Sequence, residues 1–201
     1  LVPTELECCD VAEGVKQITA SASVKDGVLT VPTETLKVST PADTYTVMSF
    51  NLLVAKESEP DRFNAALTQI NAADPDILGV QECSVLWYEF LCGQLGDRYN
   101  VVGELNHTST QMWRNAIFYK KDKYELVNSG DFWLSETPEI PGKGWDAACV
   151  RICSYAVLKD KKTGEKFAHF NTHLDHVGDV ARSEGAKLIA DRADMFKGIP
   201  T

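Results

Sequence analysis

Three separated segments of this chain read as β-strands that end in polar side chains, and this repeated feature constrains the fold more than any other. The segment MSFNLL carries Asn51 after apolar residues, and ILGVQE ends in Glu82. A later segment, KFAHFNTHLDHVGD, passes from a strand pattern into Asn171 and His173. In α/β folds, strand ends that project into one crevice usually form the functional site. The pattern therefore predicts one polar site assembled from the ends of three strands.

The histidine-containing segment has an alternating pattern that assigns its side chains to two faces. Side chains of a strand point alternately to opposite sides of the sheet. The alternation places His169, Asn171, His173 and Asp175 on one face, whereas Phe170 falls on the other face with apolar neighbours. This segment is therefore predicted to carry its ionisable groups on the face that reaches the site.

The order of helix and strand patterns predicts the fold class. Ser58 and Pro60 are expected to open a first helix, Ser84 to cap a second, and Arg182–Lys197 to form the last. Early strands alternate with helices, and later strands follow one another as hairpins. This mixture predicts an α/β (α+β) fold, a layered α/β sandwich rather than a simple doubly wound sheet.

The first 42 residues differ in composition from the rest of the chain. Residues 1–42 are rich in Thr, Ser and Val and contain only short strand-like runs. They read as a leader or linker, or as the end of a preceding β-rich module, with an edge strand of the main fold as the alternative. Residues 43–201 carry the domain with the polar strand ends.

Composition excludes some classes of protein. The net charge of −9 argues against a protein that wraps nucleic acid by electrostatic attraction alone. No apolar run approaches the roughly 20 residues of a membrane span, so no transmembrane segment is predicted. The six cysteines lack C-x-x-C zinc spacing, and their even number permits disulfides without requiring them. Together with the Thr/Ser-rich leader they favour an exported protein.

Each residue at the strand ends also has an ordinary structural interpretation. A glutamate after a strand, such as Glu82, often caps a helix or lies in a solvated turn. Asn51 has the side chain of an Asx-turn, and His173 is compatible with a structural histidine. The three residues become specific only in combination.

Two arginines are candidates for substrate binding. Arg151 alternates with apolar residues, and a buried arginine needs an anionic partner. That partner is either a substrate phosphate or a structural carboxylate. Arg114 opens another strand and is a second candidate for phosphate contact. Asp175 and His176 either shape the edge of the site or stabilise a turn.

Five segments together resemble a known family. MSFNLL, ILGVQE, RNAIFYKK, FWLSETP and NTHLDH, in this order, resemble the endonuclease/exonuclease/phosphatase family, whose members have the DNase I-like fold. The resemblance extends over about Tyr45 to Lys197. It implies a divalent-metal-dependent phosphoesterase that uses Mg²⁺, with Mn²⁺ as the alternative.

The resemblance also implies roles for individual residues. Glu82 corresponds to the metal-ligating glutamate, and Asn51 to the asparagine near the metal and the scissile phosphate. His173 corresponds to the histidine that contacts this phosphate, and Asn171 begins the same motif, where it binds substrate or braces the site. Carboxylate and amide oxygens suit Mg²⁺, and a histidine can donate a hydrogen bond to phosphate near neutral pH.

The motifs do not separate the possible substrates. A nucleic acid, a nucleotide, a sugar phosphate or a phospholipid head group would each supply a phosphoester, so nuclease, phosphatase and phosphodiesterase activities remain open. The alternative from another class is a non-catalytic binding module that retains the same fold. The sequence indicates no oligomeric state.

The chain departs from the family at two motifs. A GDxN-type motif and an SDH-type motif follow the histidine strand in the family, and neither occurs here; Gly178 and Asp179 are followed by Val and Ala. The family's general base and its Asp–His pair would therefore be absent. We expect a domain truncated at its C-terminus, with little or no activity as an isolated fragment.

Overall fold

The computed structural model describes residues 44–59, 61–103 and 114–201, together with two short strands near the N-terminus. These strands, β1 (Ser23–Lys25) and β2 (Val28–Thr30), form an antiparallel pair. They belong to a first compact unit, residues 1–39, and the remaining described residues belong to a second unit, residues 40–201. The rest of the predicted leader lies outside the described residues.

The second unit contains seven strands and three α-helices among its described residues. In chain order they are β3 (Val47–Asn51), α1 (Arg62–Ala73), β4 (Ile77–Gln81), α2 (Val85–Leu95), β5 (Tyr99–Val102), β6 (Ile117–Lys120), β7 (Tyr124–Trp133), β8 (Ile152–Asp160), β9 (Lys166–Thr172) and α3 (Asp179–Ala193). None of the described helices is both long enough and apolar enough to cross a membrane.

The strands form two sheets. The first sheet has the order β3-β4-β6-β5, in which β3 and β4 are parallel and the other pairs are antiparallel. The second has the order β7-β8-β9 and is antiparallel throughout. Because β3 and β4 are parallel and in register at Asn51 and Gln81, their carboxyl ends lie at the same edge of the first sheet.

Because side chains alternate between the two faces of each sheet, the core consists of three apolar clusters. Leu78, Val80 and Phe118 point from the first sheet toward the helices and pack with Ile70 and Trp87 of α1 and α2. On its other face the first sheet meets the second. A third cluster covers the outer face of the second sheet with apolar residues of α3. The order helices, sheet, sheet, helix confirms the predicted layered α/β sandwich.

The interface between the sheets is mainly apolar but contains one buried carboxamide. Its apolar part consists of Ile77, Ile117, Tyr119, Tyr124, Ala156 and Leu158. Asn171 of β9 donates to the carbonyl oxygens of Val80 (2.9 Å) and Ala116 (3.0 Å) and accepts from Gln81 Nε2 (2.7 Å). We call these three hydrogen bonds the inter-sheet bridge. It joins the end of β4 to the end of β9.

Two helices begin where the sequence does not indicate. Ser58 lies in a turn, Pro60 lies outside the described residues, and α1 begins only at Arg62, because Asp61 has a left-handed backbone (φ 62°) that no helix can include. α3 begins at Asp179 rather than Arg182, since the Asp146 carboxylate accepts hydrogen bonds from its first turn. By contrast, Ser84 caps α2 as predicted, accepting from the Trp87 N–H.

The inter-sheet bridge requires a residue without a side chain at Gly79. A Cβ atom there would lie 2.9 Å from Cγ and Oδ1 of Asn171. We therefore expect Gly79→Ala to lower the free energy of unfolding by about 2 kcal/mol, as overpacking in a dense core does. Chemical denaturation measures the change. Gly93→Ala is the matched control, because nothing lies within 4 Å of its Cβ position in α2, and it should leave stability unchanged or raise it. Equal effects at the two positions would contradict the packing argument.

His169 of β9 should make stability depend on pH. Burial lowers its pKa to about 4, from 6.5, so between these values the unfolded chain binds a proton that the folded chain does not. Stability is therefore complete above pH 6.5 and falls as the pH decreases toward 4. We expect the wild type to lose about 2 kcal/mol more than His169→Leu between pH 7 and pH 5. Denaturation at both pH values checks this, and parallel curves would refute it.

Candidate active site

Asn51, Glu82 and His173 converge at one edge of the sandwich. Asn51 Nδ2 donates to Glu82 Oε1 over 2.9 Å, and His173 Nε2 lies 3.9 Å from the same oxygen. These residues come from the end of β3, from just after β4 and from just after β9. The fold therefore brings a carboxamide, a carboxylate and an imidazole from three segments within contact distance of one oxygen atom.

The backbone is strained at the ends of β3 and β4. Glu82 (φ 56°) and Leu53 (φ 55°) both have left-handed conformations, which side chains of this kind rarely adopt. The turn at Leu53 directs its N–H to Asn51 Oδ1 (2.8 Å), and the next N–H, of Val54, donates to Glu82 Oε2 (2.9 Å). Such outliers persist where surrounding contacts hold them and they cluster at functional sites.

The donor set at Glu82 fits a hard divalent cation. Among the described residues, each carboxylate oxygen of Glu82 accepts one hydrogen bond, from Asn51 or from Val54, so lone pairs remain for a ligand. No lysine or arginine lies within ion-pair distance of Glu82 in the described part of the chain. Oxygen ligands from a carboxylate and a carboxamide are those that Mg²⁺ prefers. Glu82 and Asn51 could thus hold a cation at this edge.

His173 is held in its neutral form. Burial lowers the pKa of its imidazole, and the nearby Arg151 guanidinium lowers it further, which together outweigh the opposite effect of the Glu82 carboxylate. A neutral imidazole carries one N–H and one acceptor nitrogen. His173 can therefore donate one hydrogen bond to an anionic group without adding a positive charge.

Asn171 lies close to these residues in sequence but not at an open surface. Its carboxamide is 4% exposed and forms the inter-sheet bridge with both amide hydrogens and its oxygen. Gln81, its partner on β4, also donates to Ser49 Oγ over 3.1 Å. As the alternation predicts, Asn171 faces the first sheet while Phe170 packs toward α3. The strand ends at Thr172, so the alternation does not extend to Asp175.

Arg151 is buried and has a carboxylate partner within the protein. Its Nε donates to Asp175 Oδ2 over 3.2 Å, and its Nη2 lies 3.1 Å from His176 Nδ1. Of the two partners expected from the sequence, the structure contains the structural carboxylate. Arg151 lies just before β8 rather than within it.

Asp175 stabilises the turn that follows His173. It accepts hydrogen bonds from the backbone N–H groups of Ala148, Cys149, Val177 and Gly178. Burial alone would raise the pKa of its carboxyl group, but these hydrogen bonds hold the pKa well below its ordinary value. The carboxylate is therefore ionised and fixes the position of the loop between β9 and α3.

The backbone of Arg114 lies beside the site, but its side chain lies toward α2. It pairs with Cys83 in a single antiparallel bridge, directly after Glu82. Its guanidinium stacks on the Tyr88 ring at 3.6 Å from the centroid, and no described residue accepts from its buried Nε. The structure therefore groups Arg114 with Tyr88 rather than with the Asn51–Glu82–His173 cluster.

The sequence gives no indication of the backbone N–H groups of Leu53 and Val54, which orient the carboxamide and the carboxylate. They depend on a left-handed turn at a leucine, and leucine carries no signal for that conformation. Glu57, which accepts a hydrogen bond from Ser84 Oγ (2.5 Å), was likewise not predicted. The sequence shows that residue 57 is a glutamate, but it does not show that its hydrogen-bond partner lies 27 residues away.

Comparison with known proteins identifies similar structures and sequences. No family model matches the sequence. The chain is 27% identical over 122 residues to an uncharacterized protein of Acanthamoeba polyphaga mimivirus, covering 57% of this chain and 46% of that protein. At 21% identity, the human nocturnin catalytic domain shares the fold with a TM-score of 0.62, covering 77% of this chain and 59% of that one.

Solved structures from Bacteroides are more similar in sequence. A mannosyl-6-phosphatase of Bacteroides thetaiotaomicron is 36% identical with a TM-score of 0.70, covering 78% of this chain and 62% of that chain. An endonuclease/exonuclease/phosphatase family protein of the same species is also 36% identical, with a TM-score of 0.71 and coverage of 77% and 60%. This chain thus spans about three fifths of the length of the structures it matches. In the order of its motifs, in its layered fold and in these similarities, the chain resembles proteins of the endonuclease/exonuclease/phosphatase family.

Proposed function

We propose that this protein hydrolyses phosphoesters with the help of a bound divalent cation, Mg²⁺ or Mn²⁺. The observation that carries the proposal is the convergence of Asn51, Glu82 and His173 around Glu82 Oε1. The similarity to structures of this family supports phosphoester hydrolysis as the reaction class. The cation and the role of each residue are our inference from the chemistry of the side chains.

In this proposal, Glu82 and Asn51 hold the cation through their side-chain oxygens. When bound, the cation neutralises charge on the phosphoryl oxygens and activates water or stabilises the leaving oxygen. His173 donates a hydrogen bond to the phosphoryl group, where negative charge accumulates during the reaction. Asn171 keeps β4 and β9 at the spacing that lets Glu82 and His173 act together.

We propose a sugar phosphate as the substrate class, ahead of nucleic acid. One of the similar structures is a mannosyl-6-phosphatase, and the net charge of −9 does not favour binding to a long polyanion. Phosphate contact by Arg151 and Arg114 stays a prediction. In the structure Arg151 pairs with Asp175 and Arg114 stacks on Tyr88, so neither arginine carries this proposal.

Removal of the Glu82 charge should weaken cation binding. We expect Glu82→Gln to weaken Mn²⁺ or Mg²⁺ binding at least tenfold, because a neutral amide attracts a divalent cation much less than a carboxylate does. Isothermal titration of the 201-residue chain measures this. Glu89→Gln, an exposed change on α2, is the matched control and should bind as the wild type does. A wild-type chain that binds neither ion would instead favour the non-catalytic binding module.

Hydrolysis should depend on His173. The family's GDxN-type and SDH-type motifs have no counterpart in these 201 residues, so we expect little turnover by this chain alone. In any form of the protein that turns over substrate, His173→Ala should reduce kcat by about a hundredfold, since one hydrogen-bond donor to developing charge is lost. A panel of sugar phosphates, DNA, RNA and phospholipids with Mg²⁺ measures both rate and preference. Unchanged kcat in the variant would remove His173 from the mechanism.

A further inference from the structure

A second group of ionisable side chains lies beside the proposed site, formed by Cys149, Asp175 and His176. Each residue offers one ligand atom, and the three atoms lie within 4.8 Å of one another. They are therefore close enough together to contact a single metal ion. A cation would nevertheless be repelled here. The Arg151 guanidinium already contacts Asp175 and His176, and Asp175 accepts from Arg151 and from four backbone N–H groups. The cluster is therefore a source of hydrogen-bond donors rather than a cation site.

The contact with Arg151 determines which nitrogen of His176 carries the proton. A guanidinium only donates hydrogen bonds, so His176 Nδ1, at 3.1 Å from Arg151 Nη2, must accept. The proton of the neutral ring consequently lies on Nε2. His176 is exposed, and no described residue accepts a hydrogen bond from its Nε2. The Nε2–H group of this exposed ring is therefore available to a ligand.

His176 lies close to His173, and the charge of its arginine partner is compensated within the protein. His176 follows His173 by three positions in sequence, and both Arg151 and His176 lower the pKa of His173. Asp175 compensates the positive charge of Arg151 through a buried ion pair. The network therefore offers a fixed hydrogen-bond donor next to the residue proposed to contact the phosphoryl group.

We propose that His176 is a second substrate-binding histidine, whose Nε2–H donates to a non-bridging oxygen of the phosphoryl group. Arg151 and Asp175 act as positioning residues, because they select the tautomer and hold the ring. This inference rests on the proposed function, since it needs a phosphoester bound beside His173. It adds a ligand contact and a reason for burying an arginine whose charge is already compensated.

The tautomer can be observed without substrate or cation. Long-range ¹H–¹⁵N spectra of the 201-residue chain at pH 8 should show His176 with an unprotonated Nδ1 and a protonated Nε2. Arg151→Lys keeps a charge for Asp175 but shortens the side chain that reaches His176, so its ring should become a mixture of tautomers. A wild-type His176 that is already mixed, or protonated on Nδ1, overturns the proposal.

Binding of inorganic phosphate in the presence of Mg²⁺ tests the contact itself. In His176→Gln the amide nitrogen lies near the position of Nε2, whereas in His176→Asn it lies near that of Nδ1. We expect the Gln variant to bind phosphate within about threefold of the wild type, and the Asn and Ala variants to bind about tenfold more weakly, as loss of one hydrogen bond to a charged group implies. Thermal unfolding should be unchanged, because the side chain is exposed.

The outcomes separate this inference from the proposed function. If Glu82→Gln weakens Mg²⁺ binding but all three His176 variants bind phosphate as the wild type does, the contact is refuted and the proposed function stands. If the wild-type chain binds neither Mg²⁺ nor phosphate, both are refuted. An Asn variant that binds as tightly as the Gln variant also overturns the assignment of the donor to Nε2.

Discussion

The site depends on the inter-sheet bridge at Asn171. A buried carboxamide is costly unless its hydrogen bonds are satisfied, and here both amide hydrogens and the oxygen have partners on β4 and beside β6. The absence of a side chain at Gly79 leaves room for this group. Because the bridge joins the last residues of β4 to β9, it sets the spacing of Glu82 and His173, which follow those strands directly.

Near this bridge, the Glu82 carboxylate has no basic partner while the Arg151 guanidinium has an acidic one, and this distribution of charge suits phosphoester chemistry. Glu82 has no lysine or arginine partner in the described part of the chain. Among those residues, His173 is the ionisable side chain beside it, with Nε2 at 3.9 Å from Glu82 Oε1. The positive charge of Arg151 is compensated by Asp175. This distribution of charge agrees with the proposed cation at Glu82 and with the proposed hydrogen-bond donation by the neighbouring imidazoles. Burial, followed by the effect of Arg151, keeps the pKa of His173 low, which agrees with a donor that stays neutral.

Much of the fold could be predicted because its signals are local. The strands at MSFNL, ILGVQ and KFAHFNT, the cap at Ser84 and the layered arrangement follow from alternation, periodicity and capping chemistry. The start of α1 could not be predicted, since it depends on the left-handed Asp61. The start of α3 depends on Asp146, a cap that lies more than 30 residues earlier in the chain. The partner of Arg151 was undecided because spacing indicates burial without naming the carboxylate.

By itself, the sequence determined the types of side chain available at the strand ends and the family to which they point, because residue identity and two-residue periodicity are properties of the chain. The tertiary structure decided which atoms meet. Asn171 reaches a carbonyl oxygen 91 residues away, Glu82 meets Asn51 across 31 residues, and Arg151 selects Asp175 across 24. Contacts over such separations arise only when the two sheets pack, because no local preference of the backbone brings those atoms together.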